Sequence, residues 1–331
     1  MNNKYLPHIL LIIALIGFIF LGLPKILYND SYQSPYVGHL SFLYRYSENS
    51  KAQGAIARYY IKERDFQKGI EWYQRSIDNG DKDSIRYLAD MYLFDAGPEK
   101  NVSKALELYQ RSADLNNKIS IRQLGLIYWD NKDVPRDRLK ALTYFEKVHE
   151  PLSSWINYNI GRAYAIGEGL PKNYSKAFEY YYKAAMTGDQ LAEMNLGYMY
   201  RDGNGVTKDY STAAEWFSKA AKQGYVGAYF ELGWMFDHGE GFAEDSQKAL
   251  MLYRLAANKG DINGQRLLAY RFLYPKEGQQ KNVSEAYFWA RLAKKKGNTE
   301  AARLAFSASK ELSPAEIATL DQRIAAWKPE E

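Results

Sequence analysis

Hydrophobic and polar positions along this chain recur with a fixed period of thirty-six residues. One position of the period is nearly always small, and two others are always aromatic. The small column holds Gly125, Gly161, Gly197, Gly233 and Ala269. The aromatic columns hold Tyr92, Tyr128, Tyr164, Tyr200, Phe236 and Phe272, and Tyr73, Tyr109, Phe145, Tyr181, Phe217 and Tyr253. A period of this size predicts a stacked array in which each small unit buries its apolar face against the next.

The stretch from Ala192 to Gly224 shows what one unit contains. Two apolar patterns at helical spacing are separated by a turn with Gly203 and Gly205, which predicts a helix hairpin. The second helix is preceded in successive units by a residue that can accept from free N–H groups: Asn101, Asp137, Asn173, Asp209 and Asp245. We interpret this column as helix N-caps and not as converging metal or catalytic ligands, because stacked repeats hold equivalent residues about 10 Å apart. Glycines then end the second helices, at Gly188, Gly224 and Gly260.

The sequence LGYMYRDGNGVTKDYSTAAEWFSKAAKQG, residues 196–224, resembles a Sel1-like repeat, the glycine-turn branch of the tetratricopeptide superfamily. The resemblance is strongest from Ile160 to Gly260. It weakens in the units 84–116 and 118–150, which depart from the glycine turn. The resemblance implies an all-α fold, a right-handed α-solenoid of about seven two-helix repeats.

The predicted domain organisation has four parts. Residues 1–28 form a signal anchor or transmembrane segment, 29–50 a tether, 51–297 the repeat solenoid, and 298–331 capping helices and a tail. Two amphipathic patterns, Glu300–Lys310 and Pro314–Trp327, predict the cap that an array end requires. The last residues, 328–331, are expected to be a frayed tail. Pro151 interrupts the repeat pattern and predicts a bend or hinge nearby.

An uncharged stretch of 18 residues runs from Leu6 to Leu23. As a helix it is about 27 Å long, close to the hydrocarbon thickness of a bilayer. We favour an uncleaved anchor over a cleaved signal peptide, because the end of the run offers no convincing small-residue processing site. Lys4 precedes the run and Lys25 follows it, so the distribution of positive charge gives little indication of which end of the span faces the cytoplasm. A hydrophobic N-terminal run before a long soluble domain favours export, which places the protein in the bacterial inner membrane, single-pass, with its soluble domain in the periplasm.

Composition removes several classes of function. The chain has no cysteine and four histidines, with no pair at metal-ligand spacing, so we expect no metal and no catalytic residues. The Gly-x-Gly turns lie between helices and lack a following Lys-Ser/Thr, so we expect no phosphate-binding loop and no small-molecule cofactor. The net charge is only +5, with charges interspersed and no basic stripe, so we expect no nucleic-acid partner. A carboxylate pair for hydrolysis stays open.

Partner contacts are expected in first-helix columns whose chemistry varies between repeats. The position after the small column contains Arg162, Tyr198, Trp234 and Tyr270, and the position three before it contains Tyr158, Met194, Phe230 and Arg266. The family resemblance implies that both columns line the concave face. Three large aromatics with arginines nearby have the composition of an interface hot spot. The alternative is that the rings fill gaps between first helices.

The expected function is therefore a non-enzymatic, membrane-anchored repeat protein that binds another protein or peptide on its concave surface in the cell envelope. The resemblance favours an immunity protein that neutralises an exported toxin. Three alternatives stay open: an adaptor or regulator of a cell-wall or envelope assembly, a glycan-binding module, and an adaptor of quality control in the endoplasmic-reticulum lumen. The last is kept open by four glycosylation sequons, at Asn29, Asn101, Asn173 and Asn282.

Overall fold

A computed structural model describes residues 49–94, 100–148, 151–276 and 278–330, and in these residues all regular secondary structure is helical. The described helices are α1 (Ser50–Lys62), α2 (Phe66–Asp78), α3 (Lys82–Leu93), α4 (Val102–Asp114), α5 (Lys118–Asp130), α6 (Arg138–Lys147), α7 (Ser154–Ile166), α8 (Tyr174–Ala185), α9 (Gln190–Asp202), α10 (Tyr210–Lys222), α11 (Val226–His238), α12 (Ser246–Asn258), α13 (Ile262–Leu273), α14 (Val283–Lys295), α15 (Thr299–Ser309) and α16 (Pro314–Ala326). The predicted span Leu6–Leu23 lies outside the described residues. Among the helices from residue 49 onward, none has the length and hydropathy that a bilayer crossing requires.

The helices divide into two compact units, and the division falls inside α5, between Leu124 and Gly125. In the first unit α1 packs on α2 and α3 packs on α4. In the second unit, α7 with α8, α9 with α10, α11 with α12, and α13 with α14 form the corresponding hairpins. Pro151 lies within the second unit, in the connection between α6 and α7, and these two helices share one hydrophobic cluster. The bend expected near Pro151 stays a prediction.

The small column brings the two helices of each hairpin into close contact. A Cβ atom added to Gly197 would lie 2.4 Å from a ring carbon of Phe217, which is itself fully buried. Gly161 stands in the same relation to Tyr181, and Gly233 to Tyr253. The small column and the aromatic column of the second helices therefore meet in one contact. In it, the aromatic ring fills the space that the missing glycine side chain leaves.

The glycine turns have the backbone that the sequence predicts. Gly203 and Gly205 have φ angles of 74° and 76°, a left-handed conformation that glycine adopts without strain. A Cβ on Gly205 would also lie 2.5 Å from the backbone carbon of Tyr174 in the preceding repeat. The turn therefore needs glycine for its conformation and also for the close approach of the neighbouring hairpin.

The N-cap column is confirmed throughout. Each of its side chains accepts a hydrogen bond from a backbone N–H in the first turn of the helix that follows, and its members are Asn101, Asp137, Asn173, Asp209 and Asp245. Gly188, Gly224 and Gly260 follow the second helices with φ angles of 85°, 88° and 88°. Local capping interactions therefore specify where these second helices begin and end.

Two helices, α15 and α16, complete the second unit as the amphipathic patterns predict. Leu304 and Ala305 of α15 and Leu320 and Ile324 of α16 are buried in one cluster with Phe288 of α14. The last repeat is therefore covered by two helices that bury apolar side chains against it.

Residues 328–330, part of the segment expected to be a frayed tail, make hydrogen bonds to α12, and the expectation of fraying stays a prediction. The backbone N–H of Glu330 donates to the carbonyl of Asn258 at 2.9 Å, and the Asn258 amide donates to the Glu330 carboxylate, also at 2.9 Å. Pro329 lies against Gly260, where an added Cβ would be 3.3 Å away. The residues after α16 are held against the end of α12 by two hydrogen bonds that sequence patterning does not reveal.

Candidate functional site

The predicted partner-binding positions lie on α7, α9, α11 and α13, the first helices of four hairpins in the second unit, and those on the open side of these helices belong to one surface. We call this surface the first-helix face. Positions four or three residues apart share one side of a helix, and on this face they are, helix by helix, Trp155, Asn159, Arg162 and Ile166; Leu191, Asn195, Tyr198 and Asp202; Gly227, Phe230, Trp234 and His238; and Asn263, Arg266, Tyr270 and Tyr274.

Tyr198 is held at the junction of α9 and α11 by a buried carboxylate. Its ring packs edge-on against Phe217 at a centroid distance of 5.3 Å, and its hydroxyl donates to Glu231 at 2.9 Å. Arg201 binds the other oxygen of Glu231 at 2.7 Å. Burial raises the pKa of Glu231, against the opposing effects of the Tyr198 hydrogen bond and the Arg201 charge. The contacts fix the Tyr198 ring in one orientation, with part of its surface left exposed.

Trp234 is the centre of a stack on α11. The His238 imidazole lies almost parallel to the indole at a centroid distance of 3.8 Å, and its Nδ1 lies 2.9 Å from the Trp234 carbonyl oxygen. Phe230 lies on the preceding turn, at 6.5 Å from the indole. Trp234 is thus partly buried and rigid, and His238, which is exposed, extends its flat surface.

Tyr270 is the most exposed member of the aromatic row, with 40% of its surface accessible. Tyr274, one turn further along α13, is 50% accessible, and the two ring centroids are 5.2 Å apart. On the preceding turn, Arg266 forms an ion pair with Glu300 of α15 at 3.0 Å. The C-terminal end of the face is therefore a pair of open tyrosine rings beside a neutralised arginine.

Arg162 marks the opposite end of the face, on α7. Its side chain is 49% exposed and lies 3.6 Å from Glu168, beyond hydrogen-bond distance. Glu168 is instead bound by Arg138, whose side chain is 5% exposed, at 3.0 Å. The hydrogen bond from Arg138 lowers the pKa of Glu168 below its usual range, and the nearby charge of Arg162 adds to that effect.

Comparison with known proteins agrees with this architecture. The Sel1 repeat family model matches the chain seven times, at residues 53–81, 82–117, 119–147, 157–189, 190–225, 226–261 and 262–298. These matches cover more than half of the chain, and each contains one helix hairpin. The chain belongs to the Sel1 repeat family. The predicted count of seven repeats is confirmed.

Solved structures show the same fold. A Sel1 repeat protein from Oxalobacter formigenes is 24% identical with a TM-score of 0.68, over 87% of this chain and 90% of that one. A protective antigen with an SLR fold from uropathogenic Escherichia coli strains is 25% identical with a TM-score of 0.65, over 84% of this chain. This chain spans 61% of the length of that antigen. Immunity protein PA5088 from Pseudomonas aeruginosa is 18% identical over 77% of this chain and 84% of that one, but its TM-score of 0.31 supports no inference. A comparison with curated protein sequences gave no match.

The two predicted columns of these Sel1 repeats differ in how much of each side chain is exposed. The column after the small residue is open, as the exposure of Arg162 and Tyr270 shows. The column three before it points toward the second helix, and Met194 is only 4% exposed, enclosed in the core with Phe217. Tyr158 packs against Tyr181 at 5.8 Å, and Phe230 lies 5.9 Å from the ring of Tyr253. Met194 therefore supports the surface from beneath and offers no side-chain area to a partner in this structure.

Sequence reasoning missed part of the face. Trp155 and Leu191, at equivalent positions of two Sel1 repeats, are 55% and 41% exposed. Asn159 and Asn195 lie one turn further along the same two helices. Variation between repeats, the signal that identified Tyr198, could also have identified Trp155 and Leu191. Their column changes from tryptophan to leucine to glycine at thirty-six-residue intervals, which is not typical of a core column.

The face presents partly exposed aromatic rings, and the carboxylates beside them are bound by neighbouring side chains. Among the described residues no cluster of three or more histidine, cysteine, aspartate or glutamate side chains could hold a metal ion. The perturbed carboxylates Glu231 and Glu168 are engaged by arginine or tyrosine partners in their own neighbourhood. Flat, rigid aromatic rings with partly open surfaces are what a protein-binding surface requires.

Proposed function

We propose that this Sel1 repeat protein is a non-enzymatic, membrane-anchored binding protein that holds another protein on its first-helix face in the bacterial cell envelope. The observation that carries the proposal is the row formed by Tyr198, Trp234 and Tyr270. Consecutive repeats present these rings at equivalent positions, partly exposed and fixed by contacts beneath them. Tryptophan and tyrosine lose little conformational entropy when they bind and dominate the affinity of many interfaces.

Family membership supports the same function. Sel1 repeats typically mediate protein interactions, and a stacked array offers a long surface in place of a single cleft. The columns that pack between helices are nearly uniform along the chain, whereas the column with the aromatic row varies from one repeat to the next. Variation in a partly exposed column is what recognition of a specific partner needs.

Site-specific photo-crosslinking in cells tests the proposal. A photoreactive phenylalanine analogue replaces Tyr270 on the first-helix face, or Met251 on α12, which is 72% exposed and lies on a second helix. We expect a discrete protein adduct from position 270 that disappears when Trp234 is also changed to alanine, and none from position 251. Equal adducts from both positions, or an adduct at 270 that Trp234→Ala leaves unchanged, would show that the row is not the binding surface.

The cellular location is a separate part of the proposal. It is supported by the uncharged stretch Leu6–Leu23 and by the poor processing site at its end. Alkaline phosphatase fused after Glu331 is expected to be active, because the enzyme requires an exported location. An inactive phosphatase fusion together with an active cytoplasmic reporter at the same point would contradict export.

For the partner class we favour an exported toxin, which this protein would neutralise as its immunity protein. The support is the predicted layout of an envelope anchor followed by Sel1 repeats. The test is co-expression with the secreted effector gene that the proposal expects beside this one. We expect the wild-type protein to protect the cells and the Trp234→Ala variant to give no protection. If the wild-type protein does not protect them, a scaffold of a cell-wall or envelope assembly becomes the better assignment.

A further inference from the structure

The second helices of the second unit carry an excess of positive charge that the first helices lack. With histidine counted as neutral, the first helices α7, α9, α11 and α13 hold four cationic and four anionic side chains. Their hairpin partners α8, α10, α12 and α14 hold nine lysines and arginines and three glutamates. Along the sequence these charges are interspersed, and folding gathers the excess on the second-helix side of the hairpins.

The exposed side of α8, α10 and α12 is a continuous surface, which we call the second-helix face. The ring of Tyr182 on α8 packs edge-on against Trp216 of α10 at a centroid distance of 6.0 Å, so these two second helices are neighbours. The face includes the exposed side chains of Tyr182, Lys183, Met186, Lys219, Lys222 and Met251.

The corresponding helices of the first unit are electrically balanced. Helices α2 and α4 each contain two cationic and two anionic side chains. Near the end of each helix a glutamine amide donates to an aspartate, from Gln74 to Asp78 at 2.9 Å and from Gln110 to Asp114 at 2.8 Å. An excess of positive charge is therefore not a requirement of the repeat itself.

In the second unit the positions of this glutamine and aspartate have a different chemistry. Counted in steps of thirty-six residues, α8 has Tyr182 and Met186 there, and α10 has Ser218 and Lys222. Tyr182 and Met186 are 43% and 63% exposed. Apolar side chains and a cation thus occupy, on the solvent side, the places where the first unit has carboxylates.

Aromatic rings hold two lysines of the second-helix face in equivalent positions. Nζ of Lys183 lies 4.7 Å from the ring centroid of Tyr180, and Nζ of Lys219 lies 3.6 Å from that of Trp216. Within the described part of the chain neither ammonium group forms an ion pair with a carboxylate. A ring beneath the ammonium group orients it and leaves N–H donors for an external anion.

The mixture of side chains indicates which kind of anion fits this face. A soluble polyanion would use the cations alone, whereas Tyr182, Met186 and the 72% exposed Met251 also offer apolar surface to a partner. Lysines and arginines together with exposed apolar side chains are typical of protein surfaces that lie in the headgroup region of an anionic bilayer. There the cations meet lipid phosphates, and the apolar side chains reach the acyl boundary.

We propose that the second-helix face rests on the headgroups of an anionic bilayer, with Lys183, Lys219 and Lys222 on lipid phosphates. Tyr182 and Met186 then lie at the acyl boundary. The proposal rests on the membrane-anchored part of the proposed function, because insertion of Leu6–Leu23 keeps the repeats at high effective concentration beside the lipid. Since the first helices form the other side of the hairpins, this docking turns the first-helix face away from the bilayer and toward a partner.

Single-site fluorescent labels test the orientation. The chain contains no cysteine, so Met186→Cys and Ile166→Cys each give one labelling site. Met186 follows α8 and Ile166 ends α7 of the same hairpin, and the two side chains are 63% and 61% exposed. The full-length chain is reconstituted in vesicles of phosphatidylcholine, alone or with an equal part of phosphatidylglycerol, with brominated acyl chains as quencher. We expect quenching at position 186 in the anionic vesicles only, and none at position 166 in either.

Charge removal measures the electrostatic contribution to docking. A lysine near an anionic surface contributes about fivefold to binding, so Lys183→Gln with Lys219→Gln is expected to lower the ratio of docked to undocked protein about twenty-fivefold. Lys222→Gln, which removes no ring contact, is expected to lower it about fivefold. Arg75→Gln with Arg111→Gln, at the positions of the first unit equivalent to Lys183 and Lys219, is the matched control and is expected to change nothing. Melting temperatures of all variants are measured alongside.

Four results would overturn the docking proposal. They are equal quenching at positions 186 and 166, quenching at 186 that does not depend on phosphatidylglycerol, no quenching at 186, and equal effects of the two double variants. A label at 186 that responds to soluble heparin and not to the vesicles would assign the face to a polyanionic polymer. If the chain still floats with the vesicles at high salt, where surface charges are screened, the anchor survives such a failure and only the docking of the second-helix face is lost.

Discussion

The interior of the second unit and its first-helix face are built by the same helices, yet they follow opposite rules. In the interior each position of the repeat keeps one chemistry, as where Gly161, Gly197 and Gly233 each meet an aromatic ring of the partner helix. On the face one position holds Arg162 in one repeat and Trp234 two repeats later. The difference teaches that the period of the chain records packing, whereas exposed positions are free to depart from the period.

The two regions also differ in how they treat charge. Asp237 lies in the interior with its side chain 1% exposed, between Arg271 and Lys276, whose ammonium lies 3.0 Å from Oδ1. Arg162, on the face, is half exposed, and its ion pair with Glu168 is long, at 3.6 Å. An interior charge is stable only when it is closely paired, while a loosely paired charge on the surface is accessible to a partner.

The largest expected effect comes from removing the interior charge. Asp237→Asn leaves the largely buried Arg271 without its carboxylate, while Lys276 keeps its ion pair with Glu244 at 2.6 Å, and is expected to lower the free energy of unfolding by about 3 kcal/mol. Burial alone raises the pKa of Asp237, but Arg271 and Lys276 outweigh it and hold the pKa below its usual range.

The pKa direction gives a second readout for the same variant. An aspartate with a lowered folded-state pKa stabilises the protein above its unfolded pKa, near 3.8, and loses that contribution as pH falls toward the folded pKa. Denaturant titrations at pH 7 and pH 3 are therefore expected to differ less in Asp237→Asn than in the wild type. An equal pH dependence in the two proteins would contradict the pairing.

A smaller loss of stability is expected from Gly197→Leu. The new side chain meets the buried Phe217 ring, where a Cβ already lies 2.4 Å away, and overpacking of this kind costs about 2 kcal/mol. Gly227→Leu is the matched control on the first-helix face, where an added Cβ approaches only the ring of Tyr225, at 3.1 Å. Thermal melting is expected to separate the two variants clearly. Equal melting temperatures would remove the distinction between interior and face.

The smallest expected effect concerns the C-terminal residues. Removal of residues 328–331 deletes the two hydrogen bonds between Glu330 and Asn258, and we expect a loss of about 1 kcal/mol in the free energy of unfolding. Glu330→Gln retains the backbone hydrogen bond and is expected to fall between the truncated and intact proteins. A truncated chain as stable as the full one would show that the tail contact is incidental.

Much of the fold could be predicted from the sequence because its signals are local. The glycine turns and the N-cap column act within a few residues, and the small and aromatic columns meet within one hairpin, and the structure confirms them. The contact between Glu330 and Asn258 could not be predicted, because seventy-two residues separate them and neither belongs to a periodic column.

The candidate site, like the fold, could be predicted from the sequence only in part. The open column with Tyr270 was identified because its chemistry varies between repeats. The burial of Met194 was not predicted, because its exposure depends on how closely the neighbouring helices approach, and one chain's apolar pattern does not fix that distance.

The central claim is that the first-helix face binds a protein while the interior maintains the fold, and Tyr270→Ala tests it most directly. Tyr270 is 40% exposed and makes its ring contact with Tyr274 on its own helix, so its removal spares the packing between helices. Measured against the partner captured at position 270, the variant is expected to keep the wild-type melting temperature and to lose about 2 kcal/mol of binding free energy, roughly a thirtyfold weaker affinity. An unchanged affinity at an unchanged melting temperature would contradict the account.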